Sequence, residues 1–266
     1  MTSGQNASSS LHVAESSARG SLCSRRAFTV IELLVVMAIL AILTAILVPI
    51  VSGAAASGRA TASMSNLRQW GIALNMYVED HNGTLPWEGD DSVAASISAR
   101  DWWANALPRY VGMDSYSDLV ASGRAPLPPD RTIFLDAAAT VPPNAPYQSG
   151  DVPFFFCYVP NSKLDANLPR NGRVKARQIE RPDATIFMVE MRTHKDELPT
   201  TSPFYNKSLD RAKADWQRFA NRHNKGGHMA FADGHVAHVT QEKATTQTGG
   251  DYNQADLIWN PFGVAR

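Results

Sequence analysis

Between Arg222 and Val239 the chain reads Arg222-His223-Asn224-Lys225-Gly226-Gly227-His228-Met229-Ala230-Phe231-Ala232-Asp233-Gly234-His235-Val236-Ala237-His238-Val239, which sets four histidines and an aspartate in one short stretch. Imidazole and carboxylate groups at close quarters are ligands for zinc-like ions, so their geometry decides what they can do. Asp233-Gly234 between two segments of alternating polarity is a hairpin signal, because both residues tolerate the positive φ of a type I′ turn. With that pair as the loop, Ala232 faces His235, Phe231 faces Val236 and Met229 faces His238, and Met229, Phe231 and Val236 share the buried side. His228 and His235 then lie on one face but roughly 13–14 Å apart at about 3.4 Å per residue. Bonds of about 2 Å to a shared ion cannot span that. His238 points to the other face, which leaves His235, Asp233 and His223 as the one candidate cluster. The expectation is no metal site but a structural hydrogen-bonding role, with His223 tying the preceding loop to the turn.

Other chemistry is thinly represented. Glu79, Asp80, Glu88, Asp90 and Asp91 form an acidic loop without the regular ligand alternation of an EF-hand, and read as a solvated face. Arg170, Arg173, Lys175, Arg177 and Arg181 make a basic run without aromatic interleaving. With 25 Lys+Arg against 25 Asp+Glu, the chain lacks the basic surplus of a nucleic-acid-binding domain, and no nucleic acid is expected as a partner. No G-x-S-x-G elbow, P-loop, dinucleotide fingerprint or H-E-x-x-H occurs, so no catalytic role and no cofactor are expected. Cys23 and Cys157 cannot build a disulfide framework, and Cys157, in an apolar setting, reads as a structural thiol.

The elements that carry these residues begin with a long apolar run. From Leu33 to Val51 no residue is charged, and only Thr44 and Pro49 interrupt an apolar run rich in Ile, Leu, Val and Ala. At about 1.5 Å per helical residue the run spans roughly 28 Å, close to the roughly 30 Å of a bilayer's hydrocarbon. It shows no polar face, which a buried core helix of that length normally has. Arg19, Arg25 and Arg26, opposed only by Glu15, keep the N-terminus in the cytoplasm and send the rest across the membrane. Glu32, directly against the apolar run, costs about 2.5–3.5 kcal/mol in a membrane helix and asks for a cation. A cut between Ala27 and Phe28 would supply one, because the new α-amino group of Phe28 lies one helical turn from Glu32, within one subunit or between neighbours.

The stretch Arg25-Arg26-Ala27-Phe28-Thr29-Val30-Ile31-Glu32-Leu33-Leu34-Val35-Val36 resembles the processing signal of type IV prepilins and type II secretion pseudopilins. The resemblance implies cleavage by a prepilin peptidase between Ala27 and Phe28, N-methylation of Phe28 and an assembly role for Glu32. Pro49 lies where the family's long helix is kinked, and Ala27 stands where the family most often has Gly. The C-terminal stretch resembles the H-x9-D-G signature of pilin-like proteins with the same N-terminal signal, carried by His223, Asp233 and Gly234. The competing reading is an export signal, with Ser24-Arg25-Arg26-Ala27-Phe28 as a twin-arginine-like motif and Ala54-Ala55-Ala56 as a cleavage site. Against it, the apolar run exceeds the about 7–15 residues of such signals, and Glu32 would have no purpose.

Past Val51, Ala60, Met64, Leu67, Gly71, Leu74 and Val78 recur at alternating spacings of four and three, a stripe that should pack on the protein's own domain, with Arg59, Ser63, Asn66 and Asn75 off it. The helix should end near Asp80, where His81-Asn82-Gly83 supplies a turn. A short helix is expected at Trp102–Leu107, and buried strands at Phe154–Val159 and Ala184–Val189.

The sequence thus predicts an α+β chain: a cleaved cytoplasmic leader over 1–27, a long helix over 28–80 that is transmembrane over about 31–51, and an extracytoplasmic domain over 81–266 with a small antiparallel sheet and a C-terminal β-hairpin. Cleavage removes three arginines and one glutamate, leaving a mildly acidic single-pass protein of the cytoplasmic membrane. The expected function is a structural subunit of a pilin-like filament, with prepilin peptidase, other pilin or pseudopilin subunits and the membrane assembly machinery as partners. The alternatives are a membrane-anchored binding module and an exported soluble protein.

Overall fold

In a computed structural model, Thr29 and Glu32 open the helix α1 (Val30–Asp80). The structure describes residues 28–164, 173–248 and 252–263; the expected leader with Ala27, and Arg170 of the basic run, lie outside them. The chain divides into two units, Met1–Ile50 and Val51–Arg266. In the first, every described residue is exposed, including Phe28, Ile31, Leu34 and Leu47. This helix is long and apolar enough to cross a membrane. The hydroxyl of Thr44, the one polar group in its apolar run, donates to the carbonyls of Leu40 and Ala41 at 2.9 and 3.0 Å and is satisfied without water. Pro49 lies inside the helix and has no N–H to give.

In the second unit α1 becomes a core element. Leu67, Gly71 and Leu74 of the expected stripe are buried, but the stripe is centred further round than its apolar residues suggest, on Ser63, Leu67, Trp70, Leu74 and Tyr77. Ser63, expected off the stripe, is buried because it meets polar partners in the sheet. Trp70 is the anchor: its Nε1 donates to the Ile133 carbonyl at 2.9 Å, and its ring meets Trp103 and Phe134 edge-on at 5.5 and 5.1 Å. The helix ends as expected, where Asn82 and Gly83 take positive φ and the Gly83 N–H returns to the Val78 carbonyl at 2.8 Å.

Short helices follow at α2 (Val93–Ser96), α3 (Trp103–Ala106) and α4 (Tyr116–Ala121), and a two-stranded hairpin of β1 (Tyr147–Ser149) with β2 (Val152–Phe154). The main sheet is antiparallel, in the order β3 (Tyr158–Pro160), β4 (Ile186–Glu190), β5 (Gly226–Phe231) and β6 (Val236–Thr240), and α5 (Gln241–Thr245) closes the hairpin. The single strand expected over Phe154–Val159 is two strands in two sheets. Its unbroken apolar run has no alternation to mark the break, and Phe155, Phe156 and Cys157 turn into the core between them, with the Cys157 N–H on the Phe134 carbonyl at 3.0 Å.

The β5/β6 register also differs from expectation, by one residue. His228 faces His238, Met229 faces Ala237 and Ala230 faces Val236. Gly234 has φ +91 while Asp233 does not enter that region, so the loop has three residues, Ala232-Asp233-Gly234, ending in a glycine bulge. The type I′ pair lies at the other end of β5. Asn224 and Lys225 have φ +44 and +61 between His223 and Gly226, which exchange backbone hydrogen bonds at 3.0 and 2.9 Å.

Candidate functional site

Two places hold the residues singled out in the sequence. At the start of α1, Glu32 Oε2 accepts from the Thr29 N–H and hydroxyl, each at 2.9 Å, while the Thr29 hydroxyl accepts from the Glu32 N–H at 3.2 Å. This is a capping box, legible as T-x-x-E but not anticipated, and it gives Glu32 partners within its own helix. Phe28 precedes it, 71% exposed. Beyond it the exposed Val, Ile and Leu side chains would each gain about 1.5–3 kcal/mol on leaving water.

The second place lies on the sheet face that meets α1. The β4/β5 register that pairs Val189 with Met229 puts Glu190 opposite His228, and His228 is opposite His238. His228 Nδ1 lies 2.8 Å from Glu190 Oε1 and 3.3 Å from Ser63 Oγ, and the Ser63 hydroxyl also donates to Glu190 Oε1. His223 Nε2 meets Asp136 Oδ2 at 3.0 Å and Glu190 Oε1 at 3.6 Å. Arg222 pairs with Asp136 at 3.5 Å and with Glu197 at 3.3 Å. Ser63, Asp136, Glu190, His223 and His228 are buried.

Burial works against a charge on His223, yet the Asp136 hydrogen bond and the charges of Glu190 and Asp136 outweigh it and raise its pKa. Asp136 is held below the usual carboxylate range: burial opposes its charge, and the His223 hydrogen bond and the Arg222 guanidinium prevail. Burial pushes the Cys157 thiol beside them up to about 12, so it is no nucleophile at neutral pH. Ser63, His228 and Glu190 are not a hydrolytic triad either, because serine and carboxylate share one ring nitrogen, where a triad needs them on opposite ones.

The C-terminal signature is therefore not one cluster. Asp233 Oδ1 holds the His235 N–H at 3.0 Å and its Nδ1 at 2.7 Å. His223, at the opposite end of β5, ties to Asp136 and Glu190 and not to the turn. His238, expected on the other face, sits beside His228 with ring centroids 5.6 Å apart, a consequence of the one-residue change in register. Glu190, Asp136 and Ser63 were missed. A carboxylate closing the apolar run Ala184–Val189 was the one signal that could have flagged Glu190.

The acidic loop is not wholly solvated: Glu88 is buried, 3.8 Å from Lys213, and Asp91 pairs with Arg211 at 2.7 Å. In the basic run, Arg173 binds Asp101 at 2.8 Å and covers the Trp87 ring at 5.1 Å, and Arg181 binds Asp183 at 2.7 Å.

The family model described as the prokaryotic N-terminal methylation motif matches residues 22–48, spanning the expected cut and the capped start of α1. The chain carries the prepilin-type signal of type IV pilins and pseudopilins. The match supports a prepilin-type precursor, and the helix that carries it is long and apolar enough to cross a membrane. The prepilin-type match ends within α1 and does not reach the second unit. No curated protein and no solved structure matches the chain.

Proposed function

We propose that this protein is a structural subunit of a pilin-like filament, a type II secretion pseudopilus or a type IV pilus, and not an enzyme. Prepilin peptidase cuts between Ala27 and Phe28 and methylates Phe28, and the subunit waits in the cytoplasmic membrane with its second unit outside. Assembly then transfers the exposed apolar residues of α1 from lipid to neighbouring helices. Glu32 sets the axial register against the Phe28 amine of the next subunit, Pro49 shapes the helix, and His223, Asp233 and Gly234 hold the domain. The observation that supports this reading is the methylation motif placed on a helix whose apolar residues, Leu33 to Val51, are exposed among the described residues.

The capping box supports a second reading, a membrane-anchored binding module, because Glu32 is satisfied without a neighbour. The deciding experiment is the mass and N-terminal residue of the protein from its native envelope. Methylated Phe28 is the expected result. An intact Met1 would replace the filament with a plain anchor, and a start near Ser57 would make the protein an exported soluble one.

A further inference from the structure

Glu190 at the end of β4, His223 before β5 and His228 on β5 offer one carboxylate oxygen and two imidazole nitrogens that all lie within 4.8 Å of one another. The edges at Glu190 Oε1 are 2.8 Å to His228 and 3.6 Å to His223. They bracket the about 3.3–3.4 Å edge of a tetrahedron with bonds of 2.0–2.1 Å. The three side chains are 0–4% exposed and stand on a sheet and a tight turn, so their mutual placement is fixed by the fold. The other Glu190 oxygen, Oε2, has no hydrogen-bond partner among the described residues. A cavity of about 550 Å³ opens beside them, lined in part by Arg59, Ala137, Arg222, His223, His228 and His238.

We propose that Glu190, His223 and His228 bind a divalent ion of the zinc class, with a fourth position open to the cavity. Two nitrogens and one oxygen suit such an ion, whereas calcium and magnesium take oxygen shells. The ion takes the place of the hydrogen-bonded protons between the two imidazoles and the carboxylates: a neutral ring carries its proton on the nitrogen away from the ion, and an imidazolium releases one proton to solvent. His223 gives up Asp136, which keeps Arg222 as its partner.

The test uses the full-length chain in detergent without a polyhistidine tag, stripped by a chelator and then exposed to Zn²⁺ or Co²⁺. One ion per chain, a tetrahedral Co²⁺ absorption spectrum and a higher unfolding temperature with metal are expected. Glu190→Gln and His228→Gln should each weaken binding at least about tenfold, whereas His194→Gln and His235→Gln should leave it unchanged. If a variant fails to fold, the wild-type stoichiometry and spectrum decide. No stoichiometric ion in the wild type, an octahedral Co²⁺ spectrum, or unchanged affinity in folded Glu190→Gln and His228→Gln would overturn the site.

Discussion

Gly71 of α1 and Gly234 of the β5–β6 loop approach so closely that a Cβ on Gly71 would lie 2.7 Å from the Gly234 carbonyl oxygen. Next to them the Asn75 amide donates to the Asp233 carbonyl at 3.4 Å. The Asp-Gly half of the C-terminal signature thus docks on the helix beside Trp70, at Gly71, while its histidine half reaches the same helix through Glu190 and Ser63. The two halves belong together because both fasten β5 to α1.

Filling that contact should destabilise the domain. Gly71→Val drives a side chain into the Gly234 backbone, where nothing flexible can yield, and overpacking of this kind costs about 1–3 kcal/mol. Chemical denaturation of the full-length protein in detergent should show a lower midpoint, and an unchanged midpoint would contradict the close approach.

Trp70→Ala should cost about 3–5 kcal/mol, because a fully buried indole and its hydrogen bond to Ile133 are lost together. Thermal unfolding followed by tryptophan fluorescence checks it, and Trp70→Phe should recover part of the loss.

Glu32→Leu should leave membrane insertion equal or better while abolishing filaments, measured as membrane-fraction protein against sheared filament protein. Thr29→Ala separates the two roles of the carboxylate. It removes the cap, worth about 0.5–2 kcal/mol, but keeps the charge, so filaments should persist. Equal loss in both variants would mean that Glu32 acts only as a helix cap.

Cys157 is fully buried, with its thiol pushed up to about 12. In the processed protein it should resist iodoacetamide at neutral pH and react fully once the chain is unfolded, as read by mass spectrometry. Fast labelling of the native protein would mean that the core around Phe134 and Phe156 is open.

The sequence made α1, its end at Asp80, β4 and the hairpin legible, because charge-free length, helical period and turn chemistry are local. The details that failed are those set by tertiary contact. Asp233-Gly234 admits two loop lengths, and the docking of Gly234 on Gly71 accompanies the longer one, which changes the partner of every histidine in the hairpin. Ser63 looked like a surface residue because its partners, Glu190 and His228, lie 127 and 165 positions away. Asp136, in a loop, carried no pattern at all.

Those separations also order events in time. Ser63 and His228 are 165 residues apart, so at about 5–20 residues per second roughly 8–33 s pass between their synthesis. Trp70 does not wait as long, because Trp103 and Phe134, whose rings it meets, precede the whole sheet in the chain. Ser63 and Gly71 wait for His228 and Gly234, so α1 can meet its aromatic layer before the hairpin that docks on it has been made.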